Sequence, residues 1–184
     1  LESGEIAMID DTEKVIDYYL NKNVGNRVSL SNMKNRKISG DFRFTDFYIT
    51  NKKGEKVSTV GDGDDLDLIF EYECKNPNDP KNVDIGFSFH KEDQTMLSVF
   101  YSSYTGKIFS NLNEKGKLVC SIKKLPLAQG VYSVAIRALV NDSESDRPLD
   151  FVYSFEVFPG HFYKENHTSS RSHFLLDGTW AEKK

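Results

Sequence analysis

The sequence predicts an all-β antiparallel sandwich, and three observations carry that reading. Leu125-Pro126-Leu127-Ala128-Gln129-Gly130-Val131-Tyr132 runs straight into Ser133 to Val140. A proline-bearing turn, a glycine able to take positive φ and a tyrosine opening a strand mark a tyrosine corner. Apolar residues then recur with period two in segment after segment, with no helical pattern between them. Thirteen Phe and nine Tyr stand against one Trp in 184 residues, an aromatic share of 12% that suits pleated surfaces.

Taken in order, the chain opens with a short amphipathic helix that Thr12 can cap, with Val15, Ile16, Tyr19 and Leu20 on one stripe. Asn21 to Ser39 carries Lys22, Arg27, Lys34, Arg36 and Lys37 with no acidic residue and no sustained period, the composition of a linker. Residues 1–39 are therefore expected to be helix and linker, and residues 40–184 the sandwich domain.

Phe42 and Phe44 share one parity and Phe47 and Ile49 the other, which places a bulge near Asp46. Leu66, Leu68, Phe70 and Tyr72 alternate with Asp67, Ile69, Glu71 and Glu73. Val83, Ile85, Phe87 and Phe89 give the next inward face. Leu97, Val99 and Tyr101 are read as inward across a hairpin, which leaves Ser98, Phe100, Ser102 and Tyr104 outward. Leu118, Cys120 and Ile122, then the tyrosine-corner segment, then Phe151, Tyr153, Phe155 and Val157 complete the series. Phe174 to Trp180 follows a polar stretch and is predicted to be a detached strand.

Composition excludes several functions. A formal charge of −4 lacks the basic footprint that phosphate-backbone binding needs, so nucleic acid is no partner. No apolar run reaches eighteen residues and no signal peptide is visible, which points to the cytoplasm. Cys74 and Cys120 read as structural thiols of a reducing compartment. The four His fall at no helical metal spacing, and Asp62, Asp64, Asp65 and Asp67 read as a solvated turn, because Leu66 interrupts the calcium-loop pattern. No nucleophile elbow, phosphate loop or defined carboxylate pair is present, so neither catalysis nor a metal or cofactor is expected.

Removing the core faces leaves Asp84, Gly86, Ser88 and His90, then Ser98, Phe100, Ser102 and Tyr104, then Ser133, Ala135 and Arg137. Small residues admit a ligand close to a sheet, rings stack on sugar C–H faces, and hydroxyls, imidazole and guanidinium bond sugar hydroxyls directionally. The candidate carbohydrate-binding set is thus Asp84, Ser88, His90, Phe100, Ser102, Tyr104 and Arg137. An ordinary solvated face is the competing reading of the same pattern. For Arg137 the competitor is an ion pair with Asp84 or Glu71.

The order of these segments is itself informative. Glu13-Lys14-Val15-Ile16-Asp17-Tyr18-Tyr19-Leu20, a polar linker, Gly40-Asp41-Phe42-Arg43-Phe44, Val99-Phe100-Tyr101-Ser102-Ser103, Leu125 to Tyr132 and a terminal Gly178-Thr179-Trp180 follow one another along the whole chain. In this the chain resembles the C-terminal portion of the ATP-hydrolysing subunit of bacterial O-antigen polysaccharide ABC transporters, the Wzt family. The resemblance implies an immunoglobulin-like sandwich that binds the non-reducing end of a lipid-linked O-polysaccharide at the cytoplasmic face of the inner membrane and so selects finished chains for export. It also implies a homodimer that exchanges its last strand. Contact with the transmembrane subunit would run through an ATPase domain that this sequence lacks. A ligand-free dimerisation or docking domain is the alternative reading.

Overall fold

The computed structural model describes residues 11, 30, 33–76, 82–164 and 172–183. The helix predicted around Thr12 and most of the linker lie outside them. Among the described residues ten strands form two sheets: β1 Arg36–Ile38, β2 Phe42–Asn51, β3 Thr59–Gly61, β4 Leu66–Cys74, β5 Val83–Lys91, β6 Met96–Tyr101, β7 Lys115–Ile122, β8 Gly130–Val140, β9 Ser143–Pro148 and β10 Tyr153–Phe158. One 3-10 turn, Ser102–Thr105, follows β6. No helix among the described residues is long and apolar enough to cross a membrane.

The smaller sheet runs β2-β4-β7. The larger is built on β5 and β8; β6 flanks β5, while the far edge of β8 is shared by β9 and β10, followed by β1 and β3. Every pairing is antiparallel except β10 with β3. The predicted bulge in β2 is present as a register shift between Phe44 and Asp46, which lets Phe42, Phe44, Phe47 and Ile49 all face inward and be buried. The β5–β6 hairpin forms as predicted.

The two sheets close on an aromatic core. Phe70 of β4 meets Phe87 of β5 with ring centroids 6.3 Å apart, and Phe47 of β2 meets Tyr153 of β10 at 5.9 Å. Leu68, Val134, Ile136, Phe155 and Val157 fill the remaining space. Each such side chain contributes about 1.5–3 kcal/mol when fully buried. The tyrosine corner is in place: the buried Tyr132 hydroxyl donates to the Ala128 carbonyl at 2.7 Å, and Gly130 holds φ 154°, where a side chain is disfavoured. Burial pushes the Tyr132 phenol up from its ordinary value, keeping it the neutral donor that this bond requires.

Three expectations change on contact with the structure. Arg36–Ile38, which composition placed in the linker, is an edge strand paired with β9. Its Arg36 is buried against Asp146, with Nε on Oδ1 at 2.6 Å and Nη2 on Oδ2. Arg36 also donates to the carbonyls of Leu30 and Phe44, and Asp146 accepts from the Phe44 amide at 2.7 Å. The acidic loop is tied down rather than freely solvated: Asp62 is buried and accepts from Phe162 N, and Asp65 accepts from Lys124 N, each at 2.9 Å. The last segment begins on its own chain, where Phe174 bridges Leu127, Leu175 N donates to Pro126 O at 2.8 Å, and the Leu175 side chain is buried beside Ala128 and Phe162. Farther along, Leu176 and Trp180 are exposed, Trp180 fully so.

Removing one partner of the Arg36–Asp146 pair strands a buried charge. Asp146→Asn or Arg36→Met should therefore lower the unfolding free energy by about 3–5 kcal/mol, read as a fall in urea midpoint at unchanged slope. Retention of the wild-type midpoint would show that the pair carries none of the fold's stability.

Candidate functional site

Strands β6, β5 and β8 lie side by side in register, and their outward residues form a grid. Across the sheet the rows are Tyr101–Gly86–Arg137, Val99–Ser88–Ala135 and Met96–His90–Ser133. The central column is small because β5 alternates Ile85, Phe87 and Phe89 inward with Gly86 and Ser88 outward. Gly86 is required there: a Cβ on it would lie 2.4 Å from Cε1 of Tyr101, whose ring rests on the glycine.

Past β8 the chain turns at Asn141-Asp142 into β9 and then runs to Phe151 ahead of β10. Arg147, Pro148, Leu149 and Phe151 raise a wall opposite Tyr101 and Val99, enclosing a cavity of about 330 Å³. That volume lies within the range of about 300–1,000 Å³ occupied by small-molecule sites.

The polar groups around this cavity have defined directions. His90 Nδ1 lies 3.2 Å from the Gln94 carbonyl, which can only accept, so Nδ1 carries the proton. Nε2 is then the acceptor for the Ser88 hydroxyl at 2.8 Å. Gln94 reaches this position with φ 66°, a left-handed conformation that costs a non-glycine residue about 1–2 kcal/mol. The Phe151 ring packs on the imidazole at 4.8 Å between centroids.

At the other end, Arg137 Nε is 2.8 Å from Glu144 Oε2, an ion pair whose N–H is not aligned on that oxygen. Arg137 Nη1 sits 3.5 Å from the Tyr101 hydroxyl. Burial works against the Arg137 charge, but Tyr101 and Glu144 outweigh it and hold the guanidinium above its ordinary value.

The seven residues singled out by sequence do not all meet. Ser88, His90 and Arg137 line the cavity together. Asp84 holds the 3-10 turn, accepting from Ser102 Oγ at 2.8 Å, Ser103 N at 3.0 Å and Ser103 Oγ at 2.6 Å. Ser102 is committed to that contact and faces the gap between the sheets.

Phe100 pairs with Phe87 and packs on it at 5.9 Å, on the inner side of the sheet. The outward parity of β6 is therefore Val99 and Tyr101, the reverse of the sequence reading. Tyr104 stands exposed on the 3-10 turn, its ring 5.5 Å from Tyr101 and 6.1 Å from Phe100, and so continues the aromatic surface around the sheet edge.

Sequence reasoning missed Tyr101, Phe151 and Arg147. Parity alone puts Phe151 inward with Tyr153. The chain instead bends at buried Val152 and sends the Phe151 ring to the outer face. Arg137 pairs with Glu144, and not with Asp84 or Glu71. Among the described residues no group of three or more His, Cys, Asp and Glu converges as metal ligands, and Cys74 and Cys120 are free thiols.

Gly86→Ala should displace the Tyr101 ring and shrink the cavity at a cost of about 1–3 kcal/mol while the sandwich persists. The readout is a set of large shifts confined to Tyr101, Arg137 and their neighbours in a ¹⁵N-correlation spectrum. An unchanged Tyr101 environment would show that the ring does not rest on residue 86.

Residues 33–171 match the model of the protein family described as the Wzt C-terminal domain. No curated protein matches the chain. Among solved structures, one described as the crystal structure of the C-terminal domain of wzt aligns with a TM-score of 0.63 at 14% identity, over 85% of this chain and 93% of that one, and so shares the fold. A Pseudomonas fluorescens alkylpurine DNA glycosylase bound to abasic-analogue DNA aligns at 0.41 and 16% identity, over 65% and 31% of the two chains. A glycosyl hydrolase family 2 member from Bacteroides cellulosilyticus aligns at 0.37 and 11%, over 62% and 13%. Scores that low carry no argument about this chain.

Proposed function

The chain belongs to the Wzt C-terminal domain family, a family of non-catalytic domains, and from that premise we propose that it binds an O-antigen polysaccharide destined for export by an ABC transporter. The segment recognised is the non-reducing terminus of a lipid-linked chain, so that finished chains are selected. The sandwich, which begins with β1 at Arg36, acts as an immunoglobulin-like recognition domain, and the residues before it are the tail of a nucleotide-binding domain. Through that domain the protein meets the transmembrane subunit at the cytoplasmic face of the inner membrane.

The observation that carries this reading is the outer-face cavity. Its small floor of Gly86, Ser88 and Ala135 admits a sugar ring close to the backbone. The rings of Tyr101 and Phe151 offer apolar faces to sugar C–H groups. The Tyr101 hydroxyl, Ser88 and Arg137 supply directional partners for sugar hydroxyls. Each new hydrogen bond replaces one to water, so affinity is modest and selectivity comes from placement.

Cognate O-polysaccharide added to the ¹⁵N-labelled chain should shift the amides of Gly86, Ser88, His90, Ala135 and Phe151. Phe151→Ala should weaken binding about threefold to tenfold, the worth of one ring contact. A titration that leaves these amides in place, with shifts elsewhere or none, would remove the cavity as the glycan site.

The partner reading is a homodimer formed by exchange of the C-terminal strand, supported by the exposed Leu176 and Trp180 beyond the anchored Leu175. Truncation after Asp177 should turn a dimer into a monomer in sedimentation equilibrium without loss of the β spectrum. A truncated chain that still sediments as a dimer would rule the exchange out. Dimer loss combined with no glycan response would favour the ligand-free docking alternative.

A further inference from the structure

We propose that the sugar held in the outer-face cavity carries a negative charge, as a carboxylate or a phosphate on the ring. This rests on the glycan-binding reading of the cavity and narrows its substrate class.

The chain as a whole is acidic, with 28 Asp and Glu against 24 Lys and Arg. The cavity reverses that balance. Arg137 and Arg147 line it, and among the described residues no Asp or Glu does. Asp150, between the lining residues Leu149 and Phe151, is not itself in the lining and accepts from Asn35 Nδ2 at 3.0 Å, and Glu144 is shared: its Oε2 lies 2.8 Å from Arg137 Nε and 3.7 Å from Arg147 Nη1. Two guanidiniums against one carboxylate leave an excess positive charge. Lys37, the register partner of Arg147 on β1, adds a further exposed cation to the same face. Asp84, the nearest acid on β5, lies outside the cavity and spends both carboxylate oxygens on Ser102 and Ser103.

The donors are also arranged for an anion. A guanidinium has five N–H groups. On Arg137 one of the nitrogens, Nε, sits against Glu144, and the 3.5 Å contact from Nη1 to Tyr101 leaves most of its capacity unspent. The Tyr101 hydroxyl stands at the same end, free to donate. A planar fork of this kind matches a carboxylate or phosphate edge with two parallel charge-assisted bonds, and a concave, partly desolvated wall strengthens the field it presents. A neutral sugar would leave this charge uncompensated. The opposite end, where Ser88 and His90 satisfy each other, suits uncharged hydroxyls, so the site distinguishes the two ends of its ligand.

The test uses the full ¹⁵N-labelled chain and three glycosides of one ring: methyl glucoside, methyl glucuronide and methyl glucoside 6-phosphate, with inorganic phosphate as a fourth arm. At least one acidic glycoside should shift the amides of Gly86, Ala135 and Arg137 at concentrations where methyl glucoside does not. Whichever acid saturates first identifies carboxylate or phosphate as the natural group. Arg137→Gln and Arg147→Gln should each weaken the acidic glycoside about tenfold, the worth of a charge-assisted bond. High salt should weaken it in the wild type, a readout that stands even if a variant fails to fold.

Equal binding of all three glycosides would overturn the charge inference and leave the glycan reading standing. Shifts by inorganic phosphate matching those of the sugar phosphate would overturn it too, because the ring would then contribute nothing. Silence from both acidic glycosides would likewise overturn it. The glycan reading falls with it only if cognate polysaccharide also leaves the cavity amides unmoved.

Discussion

The geometry of the site depends on one buried ion pair, Arg36 with Asp146. Placing two charges in an apolar interior is costly unless every remaining donor and acceptor is matched. Here the matching is close to complete. Asp146 accepts two bonds from the Arg36 guanidinium and one from the Phe44 amide, while Arg36 donates onward to the carbonyls of Leu30 and Phe44. The pair joins β1 and β9 of the larger sheet to β2 of the smaller one, at the point where β2 bulges. The site inherits that fixity. Asp146 is flanked on β9 by Arg147, and Glu144 lies two residues before it; both face the cavity side. Alternation from inward Asp146 turns Arg147 outward, and the register shift of β9 against β8 between Ala138 and Leu139 lets Glu144, two residues before Asp146, share that outer side and hold Arg137.

Strand β6 shows how one sheet edge can serve two surfaces. Among the described strands it pairs only with β5, and it extends beside the gap between the sheets, where Phe100 packs on Phe87 and Ser98 faces Phe89. Its other face brings Val99 and Tyr101 against Ser88 and Gly86. The 3-10 turn that follows is tied to Asp84 and carries Tyr104, whose ring touches both Phe100 and Tyr101. An aromatic ridge therefore wraps the edge from the outer cavity to the inter-sheet gap. A slender edge strand bearing large rings is exposed to unwanted pairing with other chains, and the tethered turn at its end shortens what is on offer.

Much of this was legible in the sequence, and the exceptions have physical causes. The inward faces of β4, β5, β8 and β10 could be read by parity, because one side of each strand meets the facing sheet and the other does not. Phe47 and Ile49 announced the β2 bulge by changing parity, and Tyr132 announced its own bond to Ala128. In β6 the signal failed, since Leu97, Val99, Phe100 and Tyr101 put apolar groups on both sides of a strand that is partly covered on both. Phe151 continued the period of β10 but precedes the bend at Val152. Arg36 lay in a basic, aperiodic stretch whose burial depends on an aspartate 110 residues away, a distance at which local pattern carries no information. Glu144 was closer to view, because a turn at Asn141-Asp142 folds β9 back along β8 toward Arg137.

The hydrogen-bond character of the cavity follows from what has already been spent inside it. Gln94 adopts an unfavourable backbone conformation and presents a carbonyl to His90, which fixes the imidazole tautomer and turns the Ser88 hydroxyl toward Nε2. Ser88 then presents lone pairs, rather than its proton, to a ligand. At the far end Arg137 and Tyr101 present donors. A group that only accepts, unlike a hydroxyl that can both donate and accept, would be matched at the Arg137 end alone. The two ends of the cavity thus differ in hydrogen-bond character, acceptors by Ser88 and donors by Arg137.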